Sequence, residues 1–198
     1  TGKDVITNAN DAITAGSVGT WVADSLGSGN TTIKATSVTT TAADGINVTT
    51  GALAQAANIQ VGTVSAGDHG INVAHGGTGS LTITPTGKSD ADTDKAGIGA
   101  GVVASNTAAG TDITINVADV ESNEASIYVA ASRGKDGLNI TTGNLVSRSG
   151  NGVFTDNAAT ADKGTTVVTG SVTAAGNGFD VQDWSKGSID ITVNGKVD

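Results

Sequence analysis

Few residues in this sequence have the chemistry for catalysis or metal binding. His69 and His75 are its two histidines, and they flank Gly70-Ile71-Asn72-Val73-Ala74. Acyl transfer would need one of them set between a serine and a carboxylate, and no Gly-x-Ser-x-Gly turn is present to carry the nucleophile. Both are expected on a corner or an outer face. Asp90, Asp92 and Asp94 alternate as the opening ligands of an EF-hand loop do. Lys95, however, stands where the turn glycine belongs, and Gly101 where the bidentate glutamate belongs. Calcium there competes with a plain solvated acidic loop, and the loop is preferred. Gly176-Asn177-Gly178-Phe179-Asp180 has the flavour of a glycine-rich calcium repeat but is not tandem, and reads as a tight corner.

Glycan cleavage would need clustered carboxylates, often with a basic residue. The arginines are Arg133 and Arg148, and Asp112 and Asp190, on equivalent beats, fall about three coils apart. No catalytic, cofactor-binding or metal-binding residue is assigned on these grounds, and the chain is expected not to be an enzyme. Thr82, Thr84, Thr114, Thr141 and Thr192 suggest a flat outward face of the ice-binding kind, but their spacing is too uneven for one. Tyr128 and Phe154 would stack if they held the outward position of adjacent coils; with Trp21 and Trp184 they are the aromatics available for a contact patch, but cover over a corner is the preferred reading.

The elements that position these residues come from a repeat. Gly45-Ile46-Asn47-Val48 recurs as Gly70-Ile71-Asn72-Val73, with looser copies at Gly19, Gly97-Ile98, Ser126-Ile127-Tyr128-Val129, Gly152-Val153 and Gly178-Phe179-Asp180-Val181. The period is roughly 26 residues. A second beat falls between the copies at Ile33, Ile59, Leu81-Thr82-Ile83, Ile113-Thr114-Ile115, Leu138-Asn139-Ile140, Val167 and Ile189-Asp190-Ile191. A third follows within about eight residues, at Val64, Leu145, Val172 and Val197. Each beat alternates apolar with polar, so one side chain points in and the next out. Three beats per period predict a three-sided coil whose stacking on its neighbours buries a continuous core. The expected fold is all-β: a right-handed parallel β-helix of about seven coils, roughly 35 Å long at the usual strand spacing. It is taken as one unit over residues 1–198. Lys88–Lys95 (after Pro85), Asp119–Glu124 and Ser132–Asp136 are expected as polar loops leaving the rod. Beats run almost to Asp198 with no capping segment after them, as in a piece of a longer array.

Composition supports this frame. Hydrophobic residues make up 37% but aromatics only 3%, so the core must be built of Ile, Val, Leu and Ala. There are 29 glycines, one proline and no cysteine, together with about thirty threonines, which favour exposed strand positions. The absence of cysteine excludes disulfides and thiolate metal sites and suits a chain exported unfolded. A formal charge of −9, with only 10 basic residues scattered singly, argues against nucleic acid and anionic membranes as partners. No apolar run reaches the roughly 20 residues that span a bilayer.

The segments His69-Gly70-Ile71-Asn72-Val73-Ala74-His75-Gly76-Gly77-Thr78-Gly79-Ser80-Leu81-Thr82-Ile83-Thr84 and Asp136-Gly137-Leu138-Asn139-Ile140-Thr141-Thr142-Gly143-Asn144-Leu145-Val146 resemble the repeats of autotransporter passenger domains of Gram-negative bacteria. The resemblance is one of repeat style over nearly the whole chain. It implies a right-handed β-helix exported to the cell surface or released. It further implies an adhesin or self-association segment, whose partners would be a host-cell surface, a matrix component or a neighbouring copy. A structural stalk is the alternative, and a glycan-active enzyme a further one. The nucleophile motif of the family's proteases, Gly-Asp-Ser-Gly, has no match here.

Overall fold

The computed structural model describes residues 4–24, 27–93, 99–107, 109–158 and 161–198, the side chain of Asn10 excepted. It is a right-handed parallel β-solenoid of about seven turns of about 26 residues. One side is a seven-stranded sheet of Thr20–Asp24, Ile46–Thr50, Ile71–His75, Val102–Asn106, Ile127–Ser132, Val153–Asn157 and Phe179–Asp183. The other two sides form a twelve-stranded sheet. Its long early strands, Val5–Ala15, Thr31–Thr40 and Ala57–Ser65, are succeeded by two short strands per coil, beginning with Leu81–Ile83 and Ser89–Asp90, both paired with Ala57–Ser65. Pro85 sits at this division. Thr84 and Thr86 donate to the carbonyls of Ile59 and Val61 on the coil before, so the residue without an N–H falls between those two bonds.

Inward residues stack in columns. Ile33, Ile59, Ile83, Ile115, Ile140, Val167 and Ile191 follow one another through successive coils. On the seven-stranded side the column is Ile46, Ile71, Val102, Ile127, Val153 and Phe179. Between them these columns build the core. Each fully buried aliphatic contributes about 1.5–3 kcal/mol relative to exposure. The glycine that opens the repeat has a steric reason: a Cβ on Gly45 would stand 2.6 Å from both the Gly70 carbonyl oxygen and Val64 Cγ1. The corner leaves no room for a side chain.

Four sequence expectations are corrected here. Gly101-Val102-Val103-Ala104, not Gly97-Ile98, carries the repeat in the fourth copy: Val102 pairs with Ile71 and Ile127, and residues 97 and 98 lie outside the described residues. This coil therefore takes 31 residues from Gly70 to Gly101, and the extra length sits before Gly101 rather than at Lys88. Ser89–Asp90 is a strand, with Ser89 buried in the column of Val38, Val64 and Val120; Asp94 and Lys95 fall outside the described residues. Asp119–Glu124 is likewise not a loop, because Val120–Ser122 pairs with the strands on both sides. Ser132–Asp136 only rounds a corner: Ser132 ends a strand, and the N–H groups of Lys135 and Asp136 still bond the carbonyls of Gly110 and Thr111. The three loop readings failed because polar residues occupy ladder positions.

Candidate functional site

Each coil projects the same few outward positions, and the register decides which candidate residues meet. His75 does not lie on an outer face. It ends its strand pointing inward, 1% exposed, with Nδ1 2.8 Å from Thr50 Oγ1. Burial pushes its imidazole below the ordinary histidine range, and the carbonyls of Gly79 and Gln55 pull the other way. A hydroxyl beside an imidazole is the geometry of a nucleophile and its base. Both side chains are buried, Thr50 being 4% exposed, in the wall of a cavity of about 390 Å³ that Asn106 also lines. Thr50, His75, Asn106, Ser132 and Asn157 fill the same buried strand-end position in successive coils. Asn106 ties the corner through Oδ1, which accepts from the N–H groups of Arg133 and Gly134 at 2.7 and 3.0 Å.

His69 lies on the opposite corner with Asp44 and Asp68, and ligand atoms of the three fall within 4.8 Å of one another. Two of these ligand atoms already accept hydrogen bonds. His69 Nδ1 accepts the Ala100 N–H at 2.9 Å, and Asp44 Oδ2 accepts from the amides of Asn47 at 2.5 Å and Asn72 at 3.3 Å. These bonds tie neighbouring coils together at this corner. Sequence reasoning passed over Asp44, although it and His69 precede the repeated glycine at the same offset in successive coils.

Asp90 is held by Lys88 at 3.1 Å, and Lys88 also reaches Glu121 at 2.5 Å. Arg148 bonds Glu121 as well and approaches Asp90 at 3.9 Å. Hydrogen bonding to Lys88 is the main cause that holds the Glu121 carboxyl below its ordinary range; burial opposes it, and the bond to Arg148 adds to it. Asp92 is fully buried at a φ of 52°. Of the three residues weighed for calcium, Asp90 is thus engaged by Lys88, Asp92 is buried, and Asp94 lies outside the described residues.

A cleft of about 650 Å³ is lined by Asp112, Asp136, Asp162, Lys163, Thr166 and neighbours. Asp112 accepts from the hydroxyls of Thr111 and Thr114, Asp136 lies 3.9 Å from Lys163, and Asp162 holds Lys186 at 2.7 Å. Asp190 belongs to the row Thr114, Asn139, Thr166, three coils beyond Asp112. Of the threonines, Thr82 and Thr114 share that row, whereas Thr141 and Thr192 lie in the next with Val168 between them. The rows mix Thr with Asn, Asp and Val, which is not a uniform face.

The aromatic pair meets as expected. Tyr128 and Phe154 hold equivalent outward positions, with ring centroids 4.9 Å apart and planes inclined at 16°. Phe179 is partly buried in the inward column above Val153, and the Asn177 N–H bonds Asn151 Oδ1 at 2.9 Å, so Gly176–Asp180 is a corner and the start of a strand. No family model, curated protein or solved structure matches this chain. Function is therefore read from its own surface. Among the described residues no helix is long and apolar enough to cross a membrane.

Proposed function

We propose that this chain is an adhesive, non-catalytic segment of a bacterial surface protein of the autotransporter-passenger type, exposed on or released from the cell. It would hold a host-cell surface, a matrix component or a neighbouring copy. One observation carries this reading. The ladders keep outward side chains in regular rows over the length of the solenoid, while the ionisable groups with resolved contacts mostly brace coil to coil. Such a surface suits many modest contacts summed over area and over copies on a cell. The resemblance of its repeats to passenger domains supports the surface location.

The experiment is display of the segment on a non-adherent bacterium, scored for clumping and for attachment to host cells or matrix. Attachment or clumping above the empty display control is the expected result. No gain in either, with display verified, overturns adhesion and leaves the segment as a stalk that carries another domain.

A further inference from the structure

The outward row of the seven-stranded sheet runs Trp21, Asn47, Asn72, Val103, Tyr128, Phe154 and Asp180. At Tyr128 and Phe154 the 4.9 Å centroid separation exceeds the ~3.5–4.0 Å at which carbon atoms touch. The near-parallel rings are therefore slipped, and part of each face stays uncovered. Beside them the corner residues Glu124, Ala125, Ser149, Gly150 and Asn151 enclose, with the rings, a cavity of about 220 Å³.

The polar side chains around this cavity differ in what they have left to offer. The Ser149 hydroxyl donates to the Asn123 carbonyl at 2.7 Å, and Asn151 Oδ1 accepts from the Asn177 backbone. Glu124 is exposed, and its carboxylate makes no hydrogen bond or ion pair among the described residues. Glu121, three residues earlier, is by contrast held by Lys88 and Arg148. Aromatic faces and one unpaired negative charge on a single small cavity both attract a cation. A guanidinium satisfies the two together, since it is planar enough to stack on a ring and forked to meet a carboxylate. The chain's net charge of −9 favours encounter with basic partners.

We propose that this cavity binds an arginine side chain of a partner polypeptide. The proposal deepens the adhesive reading and rests on it for why a partner is present, but the site itself is testable on the isolated segment. Isotope-labelled protein would be titrated with N-acetyl-arginine amide, with its uncharged isostere N-acetyl-citrulline amide, and with methyl glucoside, and followed by NMR. Saturable shifts of the Tyr128 and Phe154 rings are expected with the arginine probe, at an affinity about threefold to tenfold above citrulline. Glu124→Gln should remove that preference, and Tyr128→Leu should weaken binding while circular dichroism stays unchanged. Equal shifts with citrulline, stronger binding of the glucoside, or an affinity unaltered by Glu124→Gln would overturn the proposal. A failed adhesion assay would leave this titration standing, and a failed titration would leave adhesion through other surfaces standing.

Discussion

His75 is the residue whose environment departs furthest from what its type suggests. Its burial favours the neutral ring, so the unfolded chain takes up a proton at a higher pH than the folded one does. Stability from this group is complete above the free-histidine value of 6.5 and declines as pH falls below it. Urea midpoints measured between pH 7.5 and pH 5 should therefore drop for the parent protein, and His75→Asn should flatten that slope. Asn is the apt replacement because Asn106 and Asn157 already fill the same position in other coils. An unchanged slope in the variant would place the titration elsewhere. This column was hidden in the sequence for a physical reason. Alternation identifies inward positions by their hydrophobicity, and Thr50, His75, Asn106 and Asn157 are inward yet polar. They were readable only once the register of Ile46, Ile71 and Val102 was fixed. Tyr128 and Phe154 were legible because they follow Ile127 and Val153, whose inward direction the repeat had already set.

At the scale of the element, the short third-side strands are the ones that need explaining. Ser89–Asp90, Val120–Ser122 and Leu145–Ser147 are two or three residues long, and one of them buries a serine where its neighbours bury Val and Leu. Little apolar area holds such strands, and Lys88, Glu121 and Arg148 cross-link them from outside. Glu121→Gln should cost about 0.5–1 kcal/mol at low ionic strength, because these groups are partly exposed and the surrounding water screens them. The loss should shrink in about 1 M salt, where the Debye length falls to about 3 Å. Denaturant titrations of parent and variant at both salt concentrations measure it. The pH sense agrees. The Glu121 carboxyl is held below its ordinary value of 4.5, so its contribution is present above that pH and is lost as acid protonates it in the folded state. A salt-independent loss would mean that packing, not charge, joins these coils. The sequence suggested a polar loop here because charged residues dominate; the structure uses the same charges on the outer side of a ladder.

The whole molecule adds what no single coil has, a core shared between neighbours, and its energetics should vary along the axis. Repeat units that touch only adjacent units gain stability from each interface, so an end coil has half of what a middle coil has. Ile140 and Ile191 occupy the same column, one in the middle at 1% exposure and the other in the last coil at 39%. Ile140→Ala should therefore cost about 2–5 kcal/mol, whereas Ile191→Ala should cost about 1 kcal/mol, since it already faces water. Amide exchange should follow the same gradient, slow over Asp112–Val117 and faster over Ile189–Val193. The fold class and the three-beat period were legible because they too are properties of the whole, repeated often enough to survive the one displaced copy at Gly101. Equal costs at the two isoleucines would mean that something covers the last coil. Protection of Ile191 that rises with protein concentration would identify that cover as another copy, and protection independent of concentration would locate it within the chain itself.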